Sequence, residues 1–252
     1  MFLTGYRELF ADEYGRMTEN VDREQMKNFI LSRFQNHNLN NGIILDAGCG
    51  TGDLCLLLCK HGYDMIGVDE SGEMLDNAMI AAKEAGADIL YICQSLAELD
   101  LYGTVDGAVS TLDTLNHIID EEELQQALDR ISLFMVPGGI FIFDVNTEYK
   151  HREVLGSNCF IYDYEDLYCG WQNEYDPVDE ITDIKLDIFL QNTDGSYDRT
   201  EIEFSERYYS HEKLGEMLAK AGFQILEIKD DYTENELGAM SQRAVYVVQK
   251  EQ

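Results

Sequence analysis

The densest chemical signal in the chain is Asp46-Ala47-Gly48-Cys49-Gly50-Thr51-Gly52. It follows the apolar run Ile43-Ile44-Leu45 and opens onto a second apolar stretch, Leu54 to Lys60. Glycines at such a junction allow a tight turn and close approach of backbone to a ligand. A strand, glycine loop and helix in that order leave unpaired backbone amides beside a nucleotide-like group. Asp69 stands 23 residues after Asp46, at the end of the next apolar run. A carboxylate there can accept hydrogen bonds from both hydroxyls of a ribose. Two cofactors answer this description, a nicotinamide dinucleotide and S-adenosylmethionine. The dinucleotide loop is spaced G-x-G-x-x-G, whereas the glycines here fall at 48, 50 and 52. Asp46 would repel a pyrophosphate but suits a ligand that carries a sulfonium and an α-amino group. Charge therefore favours S-adenosylmethionine, with a nicotinamide-dependent oxidoreductase as the competing reading.

The surrounding sequence must position these groups. Residues 1–40 read as polar and helical. From there strands and helices alternate: a strand at 43–45, a helix at 54–60 stopped by Gly62, and a strand at 65–68 ending on Asp69. Ser71 then caps a helix to Glu84 that Gly86 terminates, and a strand follows at 89–92. A weaker strand covers 105–109, and Asp120 with Glu123 caps a helix to Phe134. Pro137-Gly138-Gly139 makes the turn into a strand at 140–145. Such alternation predicts right-handed crossovers about a parallel sheet. The pattern breaks at 158–209, which hold eleven of the 27 aromatic residues and read as successive antiparallel strands with turns at Asp176-Pro177 and Asn192–Gly195. It resumes with a helix capped by Ser210 and ended by Gly222, then strands at 223–228 and 244–248.

Composition narrows the function. The 252 residues carry 18 basic and 49 acidic side chains, a formal charge of −31. That field repels phosphate backbones and anionic membranes, so nucleic acid and membrane are excluded as main partners. With 45% hydrophobic residues there is ample material for a core. No C-x-x-C pair or zinc-ligand spacing occurs among the six cysteines, so no metal site is expected. The first residues lack the pattern of a signal peptide, no apolar run is long enough to span a membrane, and the expected location is cytoplasmic. His37, His61, His151 and His211 read as surface or capping residues.

Ile44–Gly52 resembles the first motif of the class I S-adenosylmethionine-dependent methyltransferases. Gly67–Leu75 resembles their second, and Leu133–Gly139 is similar to the lead into their fifth strand. The resemblance implies a Rossmann-like α/β fold: a seven-stranded methyltransferase sheet with an antiparallel β insertion between the fifth strand and the following helix. It divides the chain into a cofactor domain, 1–157 with 210–252, carrying an N-terminal helical cap, and an inserted lid or substrate subdomain, 158–209. It implies that Asp46, Gly48, Cys49, Gly50 and Ser110 line the methionine part of the cofactor. By the same resemblance Asp69 holds the ribose, while Glu70, Met74, Ser95 and Leu96 surround the adenine. Ser95 stands where the family often has an aspartate, which replaces a charged contact by a neutral hydroxyl.

The family places acceptor groups just after the fourth strand, here Ser110 to His117. The resemblance makes His117 the candidate base, an imidazole being able to take a proton near neutrality, with Asn116 nearby at the substrate. Asp113 reads as a helix cap, and Asp144 as either a pocket residue or a structural one. Tyr6 and Tyr14 resemble N-terminal tyrosines that close over the cofactor, Tyr14 on the catalytic side. Trp171, in the insertion, is expected at the substrate. The insertion carries 14 acidic against three basic residues; acids lining a pocket would favour a cationic or amine-bearing substrate. The expected activity is methyl transfer from S-adenosylmethionine to a small-molecule acceptor, nitrogen before oxygen, with S-adenosylhomocysteine as product and no oligomeric state assigned. A silent cofactor-binding regulatory module is the alternative.

Overall fold

The computed structural model describes residues 21–251 together with Arg16 and Thr18. In chain order the elements begin with α1 (Arg23–Asn36), β1 (Gly42–Ala47), α2 (Asp53–Cys59), β2 (Tyr63–Asp69), α3 (Gly72–Ala85) and β3 (Leu90–Cys93). They continue with β4 (Val105–Ser110), α4 (Glu121–Phe134) and β5 (Met135–Asn146). The insertion contributes β6 (Cys159–Asp163), β7 (Leu167–Asp176), β8 (Ile181–Gln191) and β9 (Tyr197–Arg207). The chain closes with α5 (His211–Lys220), β10 (Phe223–Asp230) and β11 (Arg243–Lys250).

Seven strands form one sheet in the order β10-β11-β5-β4-β1-β2-β3. β1 to β5 run parallel, and β11 lies antiparallel between β5 and β10. Both faces are covered, and β5 shows why its apolar run must be continuous. Phe141, Phe143 and Val145 pack with Leu124, Leu128 and Ile131 of α4 on one side. Ile140 and Ile142 pack with Phe29, Ile30 and Phe34 of α1 and Leu58 of α2 on the other. The caps form as the sequence predicts. The Ser71 hydroxyl accepts from Met74 N, Asp120 accepts from the amides of Glu122 and Glu123, and Ser210 accepts from Lys213 N. β5 begins five residues earlier than expected, because Met135 already pairs with Val105 ahead of an irregularity in the ladder. A wide helical turn over Lys150–Leu155 has no counterpart in the sequence pattern.

The insertion is a four-stranded antiparallel sheet in the order β6-β7-β8-β9. Its registers put Phe160, Trp171, Leu186 and Ile202 in one row, then Ile184 beside Phe204 and Thr182 beside Glu206. This is the inner, apolar face, with Cys169, Ile184, Leu186 and Ile188 buried. The opposite face carries Asp187, Glu201 and Glu203, paired with Lys185 and Arg199, and Asp183, which accepts from the Ser205 hydroxyl. Most of the acidity along β8 and β9 is thus a solvated face; the alternation turns Asp198 and Glu206 to the inner side, where Asp198 is exposed at the sheet's end and Glu206 is buried.

Candidate functional site

Because β1, β2, β4 and β5 are parallel, the segments that leave them emerge at one edge of the sheet. The strand order reverses between β1 and β4, the position at which open α/β sheets form a ligand crevice. Asp46–Gly52, Asp69, Ser110–His117 and Asn146 therefore share an edge although they span a hundred residues of sequence.

The glycine loop is held from below. Gly48 N and Cys49 N donate to Val68 O at 2.7 and 3.0 Å, and Gly52 N donates to Cys49 O. Asp69 clasps it from the side: Oδ2 accepts from Gly50 N at 2.8 Å and Oδ1 from Ser71 N at 2.9 Å. Each carboxylate oxygen retains a second lone pair. Gly48 has φ +80° and an added Cβ would run into the Thr114 side chain; Gly50 has φ +51° and open space where a Cβ would stand. A side chain at 48 would thus push the loop away from the segment after β4, while Gly50 keeps its backbone open to a ligand.

Asp46 is buried at the floor. Oδ2 accepts from the Cys55 thiol at 3.2 Å, and Oδ1 finds no hydrogen-bond partner among the described residues. Burial, and secondarily the charge of Asp69, pushes its carboxyl up to about 7. An exposed aspartate titrates near 4. The unfolded chain thus loses this proton well before the folded chain does, and stability falls as pH rises from about 4 to about 7. Thermal melts of the wild type and Asp46→Asn across that window are expected to diverge, the variant losing less stability with pH. Parallel curves would show that Asp46 is not a buried titrating group.

The adenine candidates lie along the same edge. Met74 and Leu96 are buried, Glu70 is exposed, and the Ser95 hydroxyl caps nothing in the turn it precedes. Ser110 is fully buried and its hydroxyl donates to Ala47 O at 2.7 Å, stapling β4 to β1 beneath the loop. Tyr6 and Tyr14 lie outside the described residues.

The segment after β4 departs from expectation. Asp113 does not cap the short helical turn Thr114–His117 with its side chain; both Leu112 and Asp113 adopt left-handed backbone, φ +58° and +55°. Such paired conformations persist where the surroundings over-determine them, and Asp144 does so. Buried at the end of β5, it accepts from Leu112 N at 2.8 Å, Asp113 N at 2.7 Å, Arg243 at 2.7 Å and the Tyr232 hydroxyl. Asp144 is therefore the structural hub of this edge. Arg243 also reaches Asp113 at 3.2 Å. Burial works against the Arg243 charge, but the carboxylates of Asp144 and Asp113 hold it firmly protonated.

Asn116, expected at the substrate, is fully buried with both ends of its amide engaged. Nδ2 donates to Arg207 O at 2.7 Å and Oδ1 accepts from Asn146 N at 2.9 Å. It ties β9 to the end of β5. His117 is half exposed, its ring 5.3 Å from that of Phe204 and Nε2 3.9 Å from Asp113. Trp171 lies on the inner face of the insertion beside Phe160 and Tyr162, with its indole N–H donated to Asn173. His151 is buried, contrary to the surface or capping role expected of it. It contacts the Thr182 hydroxyl at 2.8 Å, and burial pushes it down to about 4.

Sequence reasoning missed Glu206. It is buried, accepts from Asn146 Nδ2 at 2.9 Å, and its carboxylate lies with Asp113 and His117 in a cluster whose donor atoms are all within 4.8 Å of one another. Burial and then the Asp113 charge raise its pKa well above the ordinary carboxyl range. Its alternation with Ile202 and Phe204 along β9 was the available signal.

Residues 44–139 match the methyltransferase domain family. A solved S-adenosylmethionine-dependent methyltransferase from Clostridium acetobutylicum is 29% identical, with 96% of this chain and 98% of that one covered and a TM-score of 0.89. A methyltransferase relative from Geobacillus sp. (strain WCH70) is 28% identical over 96% of this chain and 99% of its own. A ubiquinone biosynthesis O-methyltransferase of Pectobacterium atrosepticum matches over 109 residues at 29% identity, 42% of this chain and 44% of its own.

Proposed function

Since the chain is a class I S-adenosylmethionine-dependent methyltransferase, we propose that it methylates a small molecule, at nitrogen rather than oxygen, with His117 as the proton acceptor. The cofactor suits this edge because Asp46 offers a buried, unpartnered oxygen where a cationic amino group would settle. Gly50 leaves the loop open, and Asp69 keeps two lone pairs for a ribose. Gly48 and Cys49 would flank the methionine part, and Met74, Ser95 and Leu96 the adenine. When bound, S-adenosylmethionine supplies a methyl group as a cation equivalent, the electron pair of the broken C–S bond returning to sulfur.

The protein's own task is alignment, exclusion of water and disposal of one proton. The bound ammonium first gives one proton to His117, which frees the lone pair that forms the new N–C bond, and the product leaves as the methylated ammonium. The observation that carries the nitrogen reading is the acidic character of the cluster around His117. An anionic wall concentrates ammonium acceptors and offers nothing to polyanions. The insertion supplies an apolar roof in Phe204, Ile202 and Trp171.

Calorimetry with S-adenosylmethionine and S-adenosylhomocysteine tests the cofactor assignment. Formation of S-adenosylhomocysteine is then followed with primary and secondary amines set against alcohols and phenols. Turnover confined to amines is expected. Turnover confined to alcohols or phenols would overturn the nitrogen reading.

A further inference from the structure

We propose that Glu206 selects the acceptor, which the site takes as a protonated amine attached to an apolar, ring-sized body. This deepens the methyltransferase reading above and rests on it. Three independent observations meet at Glu206. First, the strand register puts Glu206 on the inner face, two and four residues from Phe204 and Ile202, and of the two β9 acids on that face it is the buried one, Asp198 at the far end opposite Leu190 being exposed. Its neighbours Glu201 and Glu203 face solvent and are paired with Lys185.

Second, the carboxylate is buried and, among the described residues, accepts one side-chain hydrogen bond, from Asn146 Nδ2, leaving lone pairs unspent. Asn146 Oδ1 has no hydrogen-bond partner among the described residues. An ammonium has three N–H donors and no acceptor, which is the complement of a carboxylate and a spare amide oxygen.

Third, the groups packed about Glu206 leave the ammonium role open. Asp113 and His117 come from the segment after β4, Asn146 from β5, Lys150 from the helical turn after it, and Arg243 from β11. The Arg243 guanidinium is committed to Asp144, Asp113 and Asp231. The Lys150 ammonium reaches Gln242 at 3.3 Å, and burial lowers its pKa. Beyond the acid end the inner face presents the half-buried Phe204, Ile202, Trp171, Tyr162 and Phe160, against which an apolar body would lie.

The test uses the protein loaded with S-adenosylhomocysteine. The probes are 2-phenylethylamine, protonated at neutral pH, and its neutral isostere 2-phenylethanol. The wild type is expected to bind the ammonium at least about tenfold more tightly than the alcohol, as loss of a buried charge partner would dictate. In Glu206→Gln that preference should vanish, while affinities for the alcohol and for S-adenosylhomocysteine persist, the latter showing that the variant is folded. Glu203→Gln removes the same charge from the outer face and should keep the preference. The inference is overturned if Glu206→Gln retains the preference, or if the loaded wild type binds no ammonium. It is also overturned if Mg²⁺ or Zn²⁺ binds the wild type, is lost in Glu206→Gln and excludes the amine, since the cluster would then be a metal site. Failure of the wild type to bind S-adenosylhomocysteine overturns the methyltransferase reading itself, and this one with it.

Discussion

Replacing Asp69 with alanine is expected to weaken binding of S-adenosylmethionine and S-adenosylhomocysteine by about 100-fold or more. Two losses combine. The ribose hydroxyls lose their anionic acceptor, and the glycine loop loses its clasp, since Asp69 accepts from both Gly50 N and Ser71 N. Hydrogen bonds to a charged acceptor are each worth about 1.5–3 kcal/mol, so either loss alone is substantial. The global fold should survive, because the floor of the loop is held separately by Val68 O. Calorimetry with both ligands measures the effect, and circular dichroism checks the fold. An affinity within about threefold of wild type, well below the worth of one such bond, would remove Asp69 from the cofactor site.

The second large effect belongs to Asp144. Asp144→Ala should destabilise the protein by about 3–5 kcal/mol, the usual consequence of stranding one partner of a buried ion pair. It would leave Arg243 with only the half-buried Asp113 and the exposed Asp231 and release the amides of Leu112 and Asp113 from their acceptor. Those residues hold left-handed backbone only against that hub, so the segment bearing His117 should lose its conformation as well. Urea unfolding measures the stability. The double variant with Arg243→Ala should cost less than the two single changes together, because they share one interaction. Additive costs, or a single cost under about 1 kcal/mol, would show that Asp144 is not the hub of this edge.

Legibility followed sequence distance. The caps at Ser71, Asp120 and Ser210 were readable because donor and acceptor lie within three residues. The glycine loop was readable for the same reason. Asp144 was not, since its guanidinium partner lies 99 positions away and its amide partners about 30. Asn116 looked like an acceptor-site residue because it adjoins His117, yet its amide bridges β9 and β5, two elements it meets only in the folded chain. His151 lacked neighbours in sequence that would reveal its burial; Thr182 reaches it through the insertion.

The sequence by itself determined the fold class and the cofactor. Both are encoded in contiguous stretches whose periodicity sets the fold class and whose glycine spacing and terminal carboxylates favour S-adenosylmethionine over a dinucleotide. Tertiary structure decided which side chains gather around His117. Of 14 acids in residues 158–209, composition could say only that they might favour a cationic substrate. Strand alternation and register, which no local window carries, turned Glu206 inward beside Asp113 and His117 and left Glu201 and Glu203 in water.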